Sequence, residues 1–350
     1  MRNRSWKAAL ILAAVISVPQ AVQAREDNGS HKVLKVALWG DEFYDDSAAL
    51  VDQTIESMNN HKLDFTLFAG DTKNGSSPCT DAAIGDEVIA IFNRLKAPTV
   101  YTLGDNEWTD CHRTSNGSYD PLERLAYLRT TFFSTNKSQG TNPIKLKRQG
   151  ALGQEYSENS RFEKNEVEFV SLHIPGSNNN LITAADLLLP KGLCHNKSTR
   201  TDAQCIATTA EYPARNAMNV AWLQESFAEA RDKHYAGIVI VIQADIFFPF
   251  ELSDGGYDAA FLPSLTAANG YSDFWKELVA ETQTFSGQVV LVHGDSHYFK
   301  IDKAMVNDDG RLTPNFTRVE VFGNADNSWV EMTVDPDAEN VFSFIPVVLN

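Results

Sequence analysis

Three short apolar runs early in the chain, Val33 to Leu38, Phe65 to Ala69 and Thr99 to Leu103, run into the same dipeptide: Gly40-Asp41, Gly70-Asp71 and Gly104-Asp105. Helical spacing follows each run, over Ala48 to Met58, Ala82 to Leu95 and Pro121 to Arg129. The chain thus reads as strand, acidic loop and helix three times over, which predicts an α/β domain. In open α/β sheets ligands gather outside the carboxyl ends of the strands, which is where these aspartates would stand. One Gly-Asp is ordinary turn chemistry. A fourth, Gly294-Asp295-Ser296-His297, follows the buried run Val289 to Val292. Carboxylates crowded on one sheet edge repel unless a cation neutralises them, so the pattern predicts bound divalent metal.

The remainder fits the same body. Val167 to His173 reads as a strand stopped by Pro175-Gly176, and Ile238 to Ile242 as a β-branched strand with Gln243 at its end. Ala217 to Ala230 and Phe274 to Thr282 read as helices. The runs Val319 to Phe322 and Val330 to Val334 are expected to close the fold as antiparallel strands. Ser134 to Ser160 reads as a polar surface excursion, and residues 177 to 215 as an inserted loop stapled by its own cysteines. No repeat or flexible linker divides the body.

Before it stand Arg2, Arg4 and Lys7, the apolar run Ala8 to Val18, and Val22-Gln23-Ala24. This is the layout of a signal peptide over residues 1–24, cut after Ala24, which leaves 25–350 as a single domain. The run is too short to span a bilayer, and no later one is longer, so no membrane span is expected. Export to a periplasmic or extracellular space exposes Cys79, Cys111, Cys194 and Cys205 to oxidising conditions, which favours two disulfides. Cys79 and Cys111 each follow a Gly-Asp strand end, and Cys194 and Cys205 lie close together, so these are the expected pairs. The formal net charge of −16 becomes −19 without the three leader cations. Such a surface repels polyanions and argues against a nucleic-acid polymer as partner.

Asp41-Glu42-Phe43, Gly70-Asp71, Gly104-Asp105-Asn106-Glu107, Ile242-Gln243-Ala244-Asp245 and Gly294-Asp295-Ser296-His297 occur in that order. The series resembles the calcineurin-like metallophosphoesterases, which carry Asp-x-His, Gly-Asp, Gly-Asn-His-Asp/Glu, a His after a later strand, and Gly-His-x-His. The resemblance implies a four-layer α/β/β/α sandwich with two mixed sheets, and an exported hydrolase of phosphoric esters, a phosphatase or phosphodiesterase acting on a small phosphate ester. It also implies two metal ions, with Asp71 bridging, Asp41 and His297 on one ion, and Asp105, Gln243 and Asp295 on the other. In-line attack of an activated water on phosphorus would follow.

The departures from the family pattern matter as much. Phe43 replaces a metal-binding His, and Asn106 replaces the His that assists the leaving group, which leaves Asn106 and His112 as catalytic candidates. Oxygen-rich ligation favours Mn2+, Mg2+ or Ca2+ over Zn2+. Lys73 and Arg113, in the loops after the second and third strands, are candidates for holding the substrate phosphate. His173 and His293 read as hydrogen-bonded core histidines. The alternative is a catalytically weak or inactive binding protein on the same fold.

Overall fold

The apolar runs become strands in a computed structural model that describes residues 31–44, 48–188, 194–195, 197–247, 269–307 and 309–349. The leader read over 1–24 lies outside the described residues. In chain order the strands are β1 (Leu34–Trp39), β2 (Phe65–Phe68), β3 (Thr99–Tyr101), β4 (Lys147–Arg148), β5 (Ser160–Lys164), β6 (Val167–Ser171), β7 (Gly237–Val241), β8 (Gln288–His293), β9 (Lys300–Asp302), β10 (Phe316–Glu320), β11 (Trp329–Val334) and β12 (Phe342–Val347). They form a five-stranded sheet in the order β12-β11-β1-β2-β3 and a seven-stranded sheet in the order β4-β5-β6-β7-β8-β10-β9. β1, β2 and β3 are mutually parallel, as are β6, β7, β8 and β10.

Strand alternation explains how the layers stack. Along β1, Leu34, Val36 and Leu38 enter one core while Ala37 and Trp39 enter another. Along β7, Val239 and Val241 join the first of these cores, and Ile238 and Ile240 face a third. Both faces of each strand are therefore apolar, which is what a sheet covered on both sides requires. The shared core lies between the sheets. The helices Ala48–Asn60, Glu87–Phe92 and Pro121–Phe132 cover the outer face of the first sheet, and Glu211–Asp232 and Ser272–Thr284 that of the second. This is the four-layer α/β/β/α sandwich.

Several expectations are corrected. The closing strands are not all antiparallel: β11 runs antiparallel to β1 and β12, but β10 lies parallel to β8 and antiparallel to β9. β12 is an edge strand with Pro346 and an exposed Ile345, and its mixed pattern gives a weak signal. The excursion over 134–160 contains β4 and the start of β5. The loop over 177–215 contains the helices Ala184–Leu188 and Asp202–Thr209. The second is started by a capping box in which Thr201 and Gln204 satisfy each other's backbone donors. The long helix begins at Glu211 rather than Ala217 because Pro213, in its first turn, removes an N–H that has no partner there in any case. Disulfides join Cys79 to Cys111 and Cys194 to Cys205, a pattern compatible with export. Among the described residues no helix is long and apolar enough to cross a membrane.

Candidate metal centre

The carboxyl ends of the parallel strands of both sheets meet in one acidic cluster. Asp41, Asp71 and Asp105 follow β1, β2 and β3, and Gln243 and Asp295 follow β7 and β8. Ligand atoms of Asp71, Asp105 and Asp295 lie within 4.8 Å of one another. The sheets are tied together here, since the Asp295 backbone N–H donates to Asp41 Oδ2 at 3.0 Å, and within the second sheet the Gly294 N–H donates to the Gln243 carbonyl at 3.0 Å. Asp41, Asp71, Asp295 and His297 all hold left-handed backbone, with φ of 54°, 59°, 79° and 57°. Non-glycine residues adopt this region sparingly, and it concentrates at functional sites.

The glycines before the aspartates are spatial requirements. A β-carbon on Gly104 would lie 2.0 Å from Asp71 Oδ1, and one on Gly294 would lie 1.9 Å from Asp41 Oδ2. Each glycine thus makes room for the carboxylate of another Gly-Asp pair.

The electrostatics are those of a crowded acidic site, with the buried Lys73 beside it. Burial, then repulsion from a neighbouring aspartate, pushes Asp41, Asp71 and Asp295 well above the usual carboxylate range, and burial raises Glu107 as well. Asp41 Oδ1 and Glu107 Oε2 are buried and accept no hydrogen bond. Buried oxygens without partners, in a set dominated by carboxylates, fit a hard divalent cation.

The other candidates take distinct places. His297 Nδ1 bonds the Asn324 carbonyl, and its Nε2 lies 3.2 Å from the Tyr44 hydroxyl and 3.9 Å from Asp41 Oδ1, at the rim of the cluster. Gln243 Oε1 accepts the Gly176 N–H, while its buried Nε2 makes no hydrogen bond, although the side chain lies near enough to Asp295 to lower it. Asn106 donates from its backbone to Asp71 Oδ1 at 3.1 Å and from its amide to Asp71 Oδ2 at 2.7 Å, which fixes both oxygens. Phe43 leaves the cluster altogether and stacks on Phe68 at 5.2 Å beside Trp39 and Phe92. Lys73 is buried beside Glu107 and Asp71, and donates to the Asn74 carbonyl at 2.9 Å. Arg113 pairs with Asp110 at 2.6 Å. His112 bonds the Thr109 carbonyl, in the same loop as Arg113, and lines a small cavity with Asp110 and Ser177. His173 and His293 are core residues, the first bonded to Glu158 at 2.9 Å and the second to the Gly294 carbonyl at 3.0 Å.

Sequence reasoning missed Asp110 and Ser177. Ser177 Oγ lies 2.7 Å from Asp105 Oδ2 and 2.8 Å from Asp110 Oδ1. Burial and Asp105 push Asp110 up to about 7, against the pull of Arg113. Nothing in sequence order links these residues. Glu107 stood in the Gly-Asp-Asn-Glu motif, and its Oε1 accepts from the Tyr101 hydroxyl and the Gly104 N–H. A second buried group, Asp245, His293 and Glu320, also brings ligand atoms within 4.8 Å. There Lys300 Nζ already stands 3.2 Å from Glu320 Oε2.

Fold and site together define an α/β protein of two facing mixed sheets with a buried, metal-competent carboxylate cluster at its strand ends. No protein-family model matches the sequence, and no curated relative matches it. Among solved structures the chain is similar to one described as GAP50, the anchor in the inner membrane complex of Plasmodium. The identity is 9%, the match covers 91% of this chain and 89% of that one, and the TM-score is 0.39. It is also similar to 5'-nucleotidase from Candida albicans SC5314, at 13% identity and a TM-score of 0.40, covering 92% of this chain and 53% of the nucleotidase. The chain thus spans about half the length of the nucleotidase.

Proposed function

We propose that this protein is an exported, metal-dependent hydrolase of small phosphate esters, of the metallophosphoesterase kind, with Asp41, Asp71, Asp105, Asp295 and His297 holding two divalent ions. The observation that carries this reading is the convergence of carboxylates from both sheets on one buried point, with Asp41 Oδ1 unpartnered. A divalent ion bound there supplies stabilisation of the charge that develops on phosphoryl oxygens. Asn106 holds Asp71 in register for this task. Gln243, anchored by the Gly176 N–H, stands beside Asp295. Lys73 lies against the cluster, and Arg113 sits one loop away beside Asp110, so both support the docking of an anionic substrate. Phe43 and Asn106 favour a second reading, a binding protein that kept the cation site without turnover, because neither can ligate or protonate as an imidazole does.

Leaving-group chemistry separates the two readings. A neutral amide at Asn106 cannot protonate a departing alkoxide, and acid catalysis of that kind is typically worth about 10²–10⁴-fold. Activated aryl phosphates with Mn2+ are therefore expected to turn over well ahead of alkyl phosphates, and Asn106→His should help the alkyl esters selectively. Asp71→Asn should abolish turnover of both. Parent rates equal to buffer on every ester, with metal shown to be bound, would leave only the binding protein.

A further inference from the structure

Beside the metal centre, on the far side of Ser177, lies a separate small cavity lined by Thr109, Asp110, His112, Arg113, Ser177 and Arg200. Its space for water centres is about 30 Å³. That is room for two waters or one compact oxyanion head. Arg200 comes from the disulfide-closed segment between Cys194 and Cys205, and its Nη1 rests 3.9 Å from Cys194 Sγ. The stapled loop, which has no part in the metal centre, thus forms one wall of the cavity.

The polar groups of this cavity are under-satisfied in one direction. Arg200 is buried and its Nε has no hydrogen-bond partner, and the buried Thr109 hydroxyl has none either. No carboxylate forms an ion pair with Arg200 among the described residues. Burial lowers its guanidinium to about 10, the mark of a cation taken from water without full compensation. Asp110, the acid of the cavity, is occupied by Arg113 and Ser177. Unpaired donors on a buried guanidinium and a buried hydroxyl fit an anion with several acceptor oxygens, and a guanidinium presents its donors in the fork that such an anion matches.

We propose that this cavity is an oxyanion subsite, in which Arg200 and Thr109 hold a second anionic group, phosphoryl or carboxylate, of the same small substrate. Ser177 is the link, since its hydroxyl touches both Asp105 of the metal centre and Asp110 of the cavity. Only the words "of the same substrate" rest on the hydrolase reading; anion binding itself does not.

Calorimetric titration of purified protein with inorganic phosphate, and separately with acetate, tests the subsite without any turnover. The parent should bind one of the two, and that choice tells phosphoryl from carboxylate. Arg200→Gln should weaken the binding about tenfold or more, and Arg200→Lys by less, as expected when a point charge replaces a fork. Asp71→Asn, which disables the metal centre, should leave this binding in place. Thr109→Val, a change of similar volume, gives a second measure that does not depend on how Arg200→Gln folds. Binding lost in Asp71→Asn and unchanged in Arg200→Gln would put the anion on the metal centre and overturn the subsite, as would a parent that binds neither anion. Ester turnover by the parent, measured apart, decides the hydrolase reading alone.

Discussion

At the residue scale the most demanding positions are glycines that touch carboxylates. A methyl on Gly294 would overlap Asp41 Oδ2, and the aspartate cannot withdraw, because the same oxygen accepts the Asp295 N–H. Overpacking in a tight interior typically costs about 1–3 kcal/mol. Gly294→Ala should therefore lower stability by about that amount and weaken Mn2+ binding together with it, as read by urea unfolding and calorimetric titration. A fully stable variant that binds metal like the parent would refute this role. The dipeptides were visible in the sequence, but their reason was not. Turn chemistry and steric room select the same residue type, and only the approach of a distant aspartate separates them. Phe43 shows the converse. Its neighbour Phe68 lay in an apolar run and Trp39 just after one, yet nothing in chain order said that the ring would join them rather than the acidic cluster.

At the scale of elements, a buried polar knot joins β6, the turn before β5 and two helices. Glu158 accepts from Arg129 of the helix Pro121–Phe132 at 2.6 Å and bonds His173, just past β6, at 2.9 Å. Arg215 of the long helix donates to the His173 carbonyl and pairs with Glu211, while Trp108 covers the imidazole. Burial, against the pull of Glu158, lowers His173 to about 4, and the His173 bond with the Arg129 charge holds Glu158 below the usual range against its own burial. Both shifts act in the same direction. Between about pH 6.5 and 4 the unfolded chain takes up a proton on His173 that the folded chain refuses, and below that Glu158 adds to the effect. The His173 contribution is therefore full above pH 6.5 and is lost as the pH drops, by up to about 3 kcal/mol, while the raised aspartates of the cluster act in the opposite sense. Urea unfolding of parent and His173→Gln across this range separates the two, since the cluster is common to both: the parent should lose stability relative to the variant between pH 7 and 4.5, and a constant difference between them would contradict the assignment. The strands and main helices were legible because their periodicity is local. The knot was not, because its members lie far apart in the chain, and β12 was missed because an edge strand keeps only half of an apolar pattern.

For the whole molecule, the consequence of joining two sheets at an acidic edge is that stability should be linked to metal. Asp41, Asp71 and Asp105 come from one sheet and Asp295 from the other, so their mutual repulsion acts across the sandwich. The sequence disclosed each half of this arrangement as a strand ending in Gly-Asp. The face-to-face packing that closes it came only from the resemblance, since no local pattern states which sheet a strand joins. An ion bound only by the folded state stabilises it by about 2.7 kcal/mol at one hundred times its dissociation constant. For a chain of this size that corresponds to a rise in Tm on the order of 5 °C. Scanning calorimetry should accordingly show the melting temperature climbing with Mn2+ and falling back with EDTA. Asp71→Asn should start from a higher metal-free value than the parent, because one repelling charge is gone, and should respond little to Mn2+. This crossing of the two curves is the specific signature: a ligand role and a purely structural role for Asp71 both allow the variant to differ, but only the ligand role lets it be the more stable protein without metal and the less stable one with it. Parallel curves for parent and variant would remove Asp71 from the metal centre.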